Sequence, residues 1–293
     1  MSREPTLSLV VPWNGVGSTE PLLASVANEQ DLEVVLVLDG GVGEAPPPMG
    51  AHPGRLLALP RRSGPAAARN AGARAASGRL LFFTDADCVL EPGTLEAARS
   101  ALEKAPIVAG ETATLARTTF GRLVGLLGFP GGGTLGFERV WRVASDGTTG
   151  SFSGCNVAMR REAFEALGGF DETFPFAGGE DTALAKKAVA RSVTIRFERR
   201  QRVCHEERSG LAAFVRWQFV RGRGTFHLLR TLVRVSGRPR VATLGPFLRL
   251  RLWSLGNGLR AAGALSPFVI ALFALLTASV ALGYAYEGLR GRT

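Results

Sequence analysis

Cysteine is scarce in this 293-residue chain: Cys88, Cys155 and Cys204 are the only three, and no two stand in a C-x-x-C pair. An odd, dispersed set argues against a disulfide framework and a structural zinc site, and it suits a reducing compartment. Charge is modest too, at 20% against 46% hydrophobic residues, which excludes disorder as the default and leaves room for one large α/β domain plus an appendage. No internal repeat is visible. No N-terminal signal peptide is visible, since residues 1–6 are polar and the first apolar run is short enough to read as a strand. The N-terminal domain is therefore expected in the cytosol.

Acidic residues are nearly absent from one region. Residues 191–260 hold sixteen arginines against Glu198, Glu206 and Glu207, although the whole chain carries only +10. No nucleic-acid module accompanies these arginines. They run instead into residues 261–286, which contain no charge and lie between Arg260 and Glu287. At about 1.5 Å per residue this stretch exceeds the ~30 Å of a hydrocarbon core, even if Pro267 shortens it. A single transmembrane helix is expected, with a buried core helix or an interfacial hairpin as the alternative. The arginines would then meet anionic lipid head groups rather than nucleic acid, and they place the preceding domain on the cytoplasmic side.

The rest of the chain alternates short apolar runs with helical patterns. Strands are predicted at 7–11, ended by Pro12, at 33–38, closed by Asp39-Gly40-Gly41, at 55–59, at 79–84 and from Ile107. Helices are predicted from Ser18 or Thr19, with Leu22, Leu23, Val26 and Ala27 as the apolar face, and at 65–76 and 93–104. A turn-rich connection around Pro46-Pro47-Pro48 joins the second and third strands. The pattern is that of an open, mostly parallel, twisted α/β sheet flanked by helices. Residues 120–137, rich in glycine around Pro130, break the rhythm and read either as a core loop or as a flap that meets membrane or a lipid acceptor.

The most informative stretch is Leu80-Leu81-Phe82-Phe83-Thr84-Asp85-Ala86-Asp87-Cys88, a buried strand that delivers two carboxylates at its C-terminal end. Ligands of open α/β sheets sit outside that end. Residues two apart on extended chain point the same way, so Asp85 and Asp87 can face one ligand. Two carboxylates need a cation to approach a phosphate, which implies a divalent metal and a nucleotide diphosphate, unless both are merely solvated loop acids. Trp13 and Asp39 end the first two strands, where a base and ribose would lie; Trp13 reads equally as a core residue.

Around this stretch stand Leu9-Val10-Val11-Pro12-Trp13-Asn14, Gly64-Pro65-Ala66-Ala67-Ala68-Arg69-Asn70-Ala71-Gly72, Gly154-Cys155-Asn156-Val157-Ala158-Met159-Arg160-Arg161, Gly168-Gly169-Phe170-Asp171 and Gly179-Glu180-Asp181. In this order the chain resembles the family 2 glycosyltransferases, inverting enzymes of the GT-A fold, from about Leu7 to Arg223. The resemblance implies a nucleotide-diphosphate sugar donor, a hydroxyl acceptor and Mg2+ or Mn2+. It puts Pro12, Trp13, Asn14, Asp39, Arg69, Asp85 and Ala86 at the donor, and Asp87, with Asp85 and His205, at the metal. It makes Asp181 the base that takes the acceptor proton, with Glu180 orienting the acceptor. A capping role at the start of a helix is the plainer reading of the same acidic pair. Gly154, Cys155 and Asn156 would wall the acceptor pocket, and Gly178-Gly179 would let their loop approach the sugar.

Gln218-Phe219-Val220-Arg221-Gly222-Arg223 matches a C-terminal element of that family loosely, so Arg221 or Arg223 could hold the departing diphosphate or lie on lipid phosphate. The chain departs from the family in a first loop one residue shorter and in Leu38-Asp39 where two acids are usual. The expected organisation is a catalytic domain over 1–225, a basic amphipathic region over 226–260, a transmembrane helix over 261–286 and a tail over 287–293. The expected activity is sugar transfer to a hydroxyl, compatible with a polyprenyl or other lipid-linked acceptor or a cell-envelope glycan. A nucleotidyltransferase, or a catalytically silent nucleotide-sugar-binding protein of the same fold, is the alternative.

Overall fold

The computed structural model describes residues 6–40, 52–207, 210–236 and 240–290. β1 (Leu7–Trp13) is an almost wholly buried apolar strand, followed by α1 (Glu20–Val26), which has a proline in its first turn. Ala27, expected on the buried face of α1, falls beyond its last turn and is exposed, a correction to the reading of the periodicity. β2 (Leu32–Asp39) is buried throughout, and β3 (Gly54–Leu59) forms an exposed edge; Pro46-Pro47-Pro48 lies outside the described residues.

The chain continues through α2 (Pro65–Ala75), β4 (Leu80–Phe83), β5 (Cys88–Leu90), α3 (Thr94–Leu102), β6 (Ile107–Leu115), α4 (Thr119–Leu126), α5 (Phe137–Trp141), β7 (Val157–Arg160), α6 (Arg161–Leu167), α7 (Glu180–Ala190) and β8 (Ile195–Glu206). Three helices close it: α8 (Leu211–Ser236), α9 (Arg240–Ala262) and α10 (Ser266–Arg290).

The eight strands make one open mixed sheet in the order β3-β2-β1-β4-β7-β6-β8-β5. The half containing β1 to β4 is parallel, while β7 runs antiparallel to β4 and β6, and β5 antiparallel to β8. After β1 leads to β2 on one side, the chain returns to set β4 on the other. Such a reversal opens a crevice at the strand carboxyl ends. Alternation along the strands builds two cores: Val10, Val35 and Phe83 face α2, α6 and α7, whereas Leu9, Leu36 and Phe82 face α1 and α3. Gly72 lets α2 sit close, since a Cβ there would lie 2.5 Å from the Val10 side chain.

One buried acid pins the start of the sheet. Glu33 of β2 accepts from Ser8 Oγ at 2.5 Å, Ser77 N at 2.7 Å and Ser77 Oγ at 2.9 Å, and it pairs with Arg55. Burial would raise its pKa, but the serine donors and Arg55 outweigh that and hold it below the usual carboxylate range. The native state thus favours the ionised form. Its contribution is complete above the unfolded carboxylate pKa and is lost as pH falls through the lowered native value. We expect Glu33→Ala to lose about 2–3 kcal/mol at pH 7 in chemical denaturation, with the gap to wild type narrowing below pH 4.5. A gap independent of pH would show that the charge contributes nothing.

The C-terminal helices are packed against the sheet domain and against each other. Phe174, Ala183, Leu228 and Leu232 join α7 to α8, and Leu123, Phe214, Val269, Leu272 and Leu276 join α4, α8 and α10. Gly222 of α8 and Gly283 of α10 bring the two backbones together, with Val280 and Phe219 carbonyls against them. The sequence-based division at 225/226 falls inside α8. On α10, Val269, Leu272, Leu276, Ser279 and Gly283 are buried at helical spacing, whereas Phe268, Ile270, Leu282 and Leu289 are exposed. Leu248–Arg290 has the length and composition to cross a membrane, with a mean hydropathy of 2.3 over its most apolar window.

Candidate active site

The tip of β4 and the end of β8 are tied together. The Asp87 carbonyl accepts from Glu206 N at 2.9 Å, and Cys88 lies opposite His205 in the β5–β8 ladder. His205 is buried, with Nδ1 2.7 Å from the Glu206 carbonyl oxygen. A carbonyl can only accept, so Nδ1 carries the hydrogen, and in the neutral ring Nε2 keeps its lone pair. That atom lies 3.4 Å from an Asp87 carboxylate oxygen. Atoms of Asp87, Cys88 and His205 that could ligate a cation lie within 4.8 Å of one another.

A carboxylate oxygen and an imidazole nitrogen whose partner nitrogen is already hydrogen-bonded make a donor set that fits a divalent cation. The Cys88 thiol is pushed well above its ordinary pKa by burial and by neighbouring sulfur and carboxylates, so it stays protonated and is the poorest donor of the three. Burial works against a charge on His205, yet Asp87, Cys155 and Asp85 hold its pKa above the usual value. This corner therefore attracts a cation, whether a proton or a metal.

Arg69, on the sheet-facing side of α2, is almost fully buried and bridges two acids that are distant in sequence. Its Nη2 donates to Asp85 Oδ1 at 2.7 Å and its Nη1 to Glu180 Oε1 at 2.9 Å. Burial would lower its pKa, but the two carboxylates more than reverse that. The other Glu180 oxygen accepts from Gly178 N at 2.8 Å. Burial and the adjacent Asp181 nevertheless leave the Glu180 pKa raised. Asp181, in the first turn of α7, accepts from Gly154 N at 3.1 Å through Oδ2 and from Thr182 N at 2.7 Å through Oδ1. Both anchors are backbone N–H groups, which fix the carboxylate and leave it acceptor capacity for a hydroxyl proton.

A cavity of about 210 Å³ joins these groups. It is lined by Arg69, Asp85, Glu180, Asp181 and His205 from the sheet side, by Gly154 and Cys155, by the turn Gly128 to Gly131, and by Arg221 and Arg251 from the closing helices. Arg221 lies over the Phe129 and Trp217 rings, 4.9 and 5.4 Å from their centroids. Burial depresses its pKa against the pull of Asp181 and Glu180. Gly224 touches the Gly178 backbone and leaves no room for a Cβ, so α8 is seated directly on the loop that carries Glu180 and Asp181.

Several residues expected at the donor stand outside the lining of this cavity. Trp13 packs in the core beneath β1 and β2, its indole nitrogen donating to the Val16 carbonyl at 3.3 Å. The carboxylate of Asp39 accepts from Ser63 N and Gly64 N at 2.6 and 2.9 Å, fixing the loop before α2. Asn14 caps its own turn through Val16 N, and Pro12 and Ala86 do not line the cavity. Asn156, expected in the acceptor wall, is fully buried and braces Glu111 and Gln201, while Arg223 pairs with Glu287 of α10 at 2.6 Å. Sequence reasoning missed Arg251, which alternates with Arg249 and leucines in the run Leu248-Arg249-Leu250-Arg251-Leu252 of α9. It also missed the pairing of Cys88 with His205, for which a three-residue strand leaves little periodic signal.

The sequence pattern of glycosyl transferase family 2 matches residues 10–168, more than half of the chain. The chain belongs to this family. A second pattern, the N-terminal domain of galactosyltransferase, matches residues 141–208 of this family 2 chain. A pre-mycofactocin glycosyltransferase of Mycobacterium tuberculosis (strain CDC 1551 / Oshkosh) is 27% identical over 284 residues, which cover 92% of the family 2 chain and 56% of that protein. The chain thus spans little more than half the length of this relative. Among solved structures, a mannosyltransferase from Pyrobaculum calidifontis in complex with GDP-Man and Mn2+ superposes with a TM-score of 0.57 at 18% identity, over 98% of this chain and 88% of that one. GalNAc-T7 with UDP, GalNAc and Mn2+ gives 0.53 at 18% identity, over 73% and 48%. At these identities the likeness is one of fold, and the family 2 chain has the GT-A architecture expected from its sequence.

Proposed function

We propose that the chain is a metal-dependent, inverting glycosyltransferase that moves a sugar from a nucleotide diphosphate to an acceptor hydroxyl. The observation that carries this reading is one cavity, which has His205 of the Asp87–His205 cation corner in its wall together with the backbone-anchored carboxylate of Asp181. In-line displacement at an anomeric carbon needs a leaving diphosphate on one face and a single base on the other. Asp181 takes the acceptor proton. Glu180, held by Arg69, fixes the α7 N-terminus and helps orient the acceptor, and Arg221 supplies positive charge beside the base. The nucleoside would occupy the tips of β1 and β2, among Pro12, Trp13, Asn14 and Asp39, with Asp85 and Ala86 beside the ribose.

Asp87 and His205, with Asp85 close by, would hold Mg2+ or Mn2+, which when bound offsets the diphosphate charge and stabilises the leaving group. The two fold relatives named above carry Mn2+ with UDP or GDP-Man, in keeping with that choice. α10, with an apolar surface on both faces, would attach the enzyme to the cytoplasmic side of a cell membrane. A lipid-linked acceptor fits that setting.

A thermal-shift screen of nucleoside diphosphates tests the donor site, because a ligand bound only to the native state raises apparent stability, by about 2.7 kcal/mol at a hundredfold excess over Kd. One nucleoside diphosphate should give a larger shift with Mn2+ or Mg2+ than in EDTA, and Asp87→Ala should abolish that increment. A shift that ignores the metal in wild type would remove the cation from the reaction.

A further inference from the structure

Arg251 is used by nothing described so far. It reaches the cavity from α9, and its guanidinium lies over the Phe129 ring, 4.7 Å from the centroid, while that of Arg221 lies 4.9 Å from the same centroid. Two cations thus share one aromatic ring. Among the described residues neither has a carboxylate within ion-pair distance, in contrast to Arg69, which has two. Arg221 Nε is buried with no hydrogen-bond partner. Like charges brought together with no directly paired carboxylate are unfavourable, Asp181 and Glu180 acting on Arg221 only from beyond ion-pair distance, so the arrangement calls for an anion that spans both. Planar guanidinium forks suit phosphate-class oxyanions.

The donor diphosphate has its own place at the cation corner of β4 and β8. The arginine pair comes from different elements: Arg221 abuts the Gly178 loop before Asp181, and Arg251 sits between Leu250 in the cavity wall and exposed Leu252. Leu248, one turn before Leu252 on α9, and Phe268 near the start of α10 are exposed as well. We propose that Arg221 and Arg251 form an oxyanion subsite for a phosphate-class group carried by the acceptor, whose apolar portion follows α9 toward α10. This rests on the glycosyltransferase reading and adds to it that the acceptor is an anionic amphiphile.

The full chain in detergent micelles, titrated with inorganic phosphate in EDTA, tests the subsite by melting temperature and by fluorescence of the neighbouring Trp217. Wild type should show a saturable shift, Arg251→Gln should weaken it at least tenfold, and Arg251→Lys, which keeps the charge, should weaken it less than fivefold. Unliganded Arg251→Gln should melt no lower than wild type, because a cation has been taken away from its neighbour. No saturable phosphate effect in wild type, or no difference between wild type and both variants, overturns the subsite. Should Arg251→Gln fail to fold, an Arg251→Lys protein with no phosphate response overturns it too.

A second arm separates the two sources of phosphate. With Mn2+ present, the affinity of Arg251→Gln for the nucleoside diphosphate should stay within twofold of wild type, and Asp87→Ala should leave the phosphate titration within twofold. A tenfold loss of nucleotide affinity in Arg251→Gln would hand the subsite to the donor and overturn the acceptor assignment. Failure of the glycosyltransferase reading would show separately, as the absence of any metal-dependent nucleotide increment in wild type.

Discussion

Asp181→Asn is expected to lower the rate of sugar transfer about 10³-fold while leaving donor affinity within twofold. The size follows from removing a general base, worth roughly 10²–10⁴ in rate. The retained affinity follows from the anchoring: Asp181 is held by Gly154 N and Thr182 N on α7, whereas the cation corner belongs to β4 and β8. An asparagine keeps the size and one acceptor oxygen, so the α7 N-terminus should survive. Single-turnover transfer from radiolabelled donor, with nucleotide affinity measured in parallel, would check it. Transfer that persists in Asp181→Asn eliminates this residue as the base. A nucleotidyltransferase of this fold would be indifferent to the change, and a silent binding protein would show no transfer to lose.

Arg69→Met is expected to destabilise the protein by about 3–5 kcal/mol, the loss typical when one member of a buried ionic cluster is removed and its partners stay charged. Methionine approximates the arginine stem, so the loss reports charge more than volume. Glu180 suffers most, being almost fully buried, while Asp85 keeps partial solvent access. The sign with pH is set by Glu180, whose pKa is already raised by burial and by Asp181. Without Arg69 it rises further, so protonation at low pH removes the uncompensated charge and the difference from wild type should shrink as pH falls. Urea melts at pH 5 and pH 8 would show this. A penalty under 1 kcal/mol at both would mean that the triad does not organise the site.

Most of this architecture is legible in the chain because its signals are local. The apolar strand ending in Asp85 and Asp87, the alanine-rich helix opening on Gly64-Pro65, and the break at Gly178-Gly179 each specify an element and its end. Hidden from sequence was how those ends are wired. That Arg69 reaches Glu180 across 111 residues, or that Asp39 holds the Ser63 and Gly64 amides, depends on which strands become neighbours, and no periodicity encodes that. Trp13 carries two readings in the sequence, stacking platform or core residue, and the structure shows its indole packed into the space beneath β1 and β2. The third helix was visible only as a hydrophobic length. Its partner was not, because the glycines that let α8 and α10 touch look, one at a time, like weak points in a helix.

That contact has a mechanical consequence. Gly222 rests on α10, and two residues later Gly224 rests on the loop preceding the base, so only the thickness of one helix, about 10 Å, separates the two. If α10 lies along a surface, as the proposed attachment would have it, the proposed base would stand at a fixed height above that surface. An acceptor anchored there would have to raise its hydroxyl to this height, and α8 would then act as a ruler for the reach of acceptor head groups.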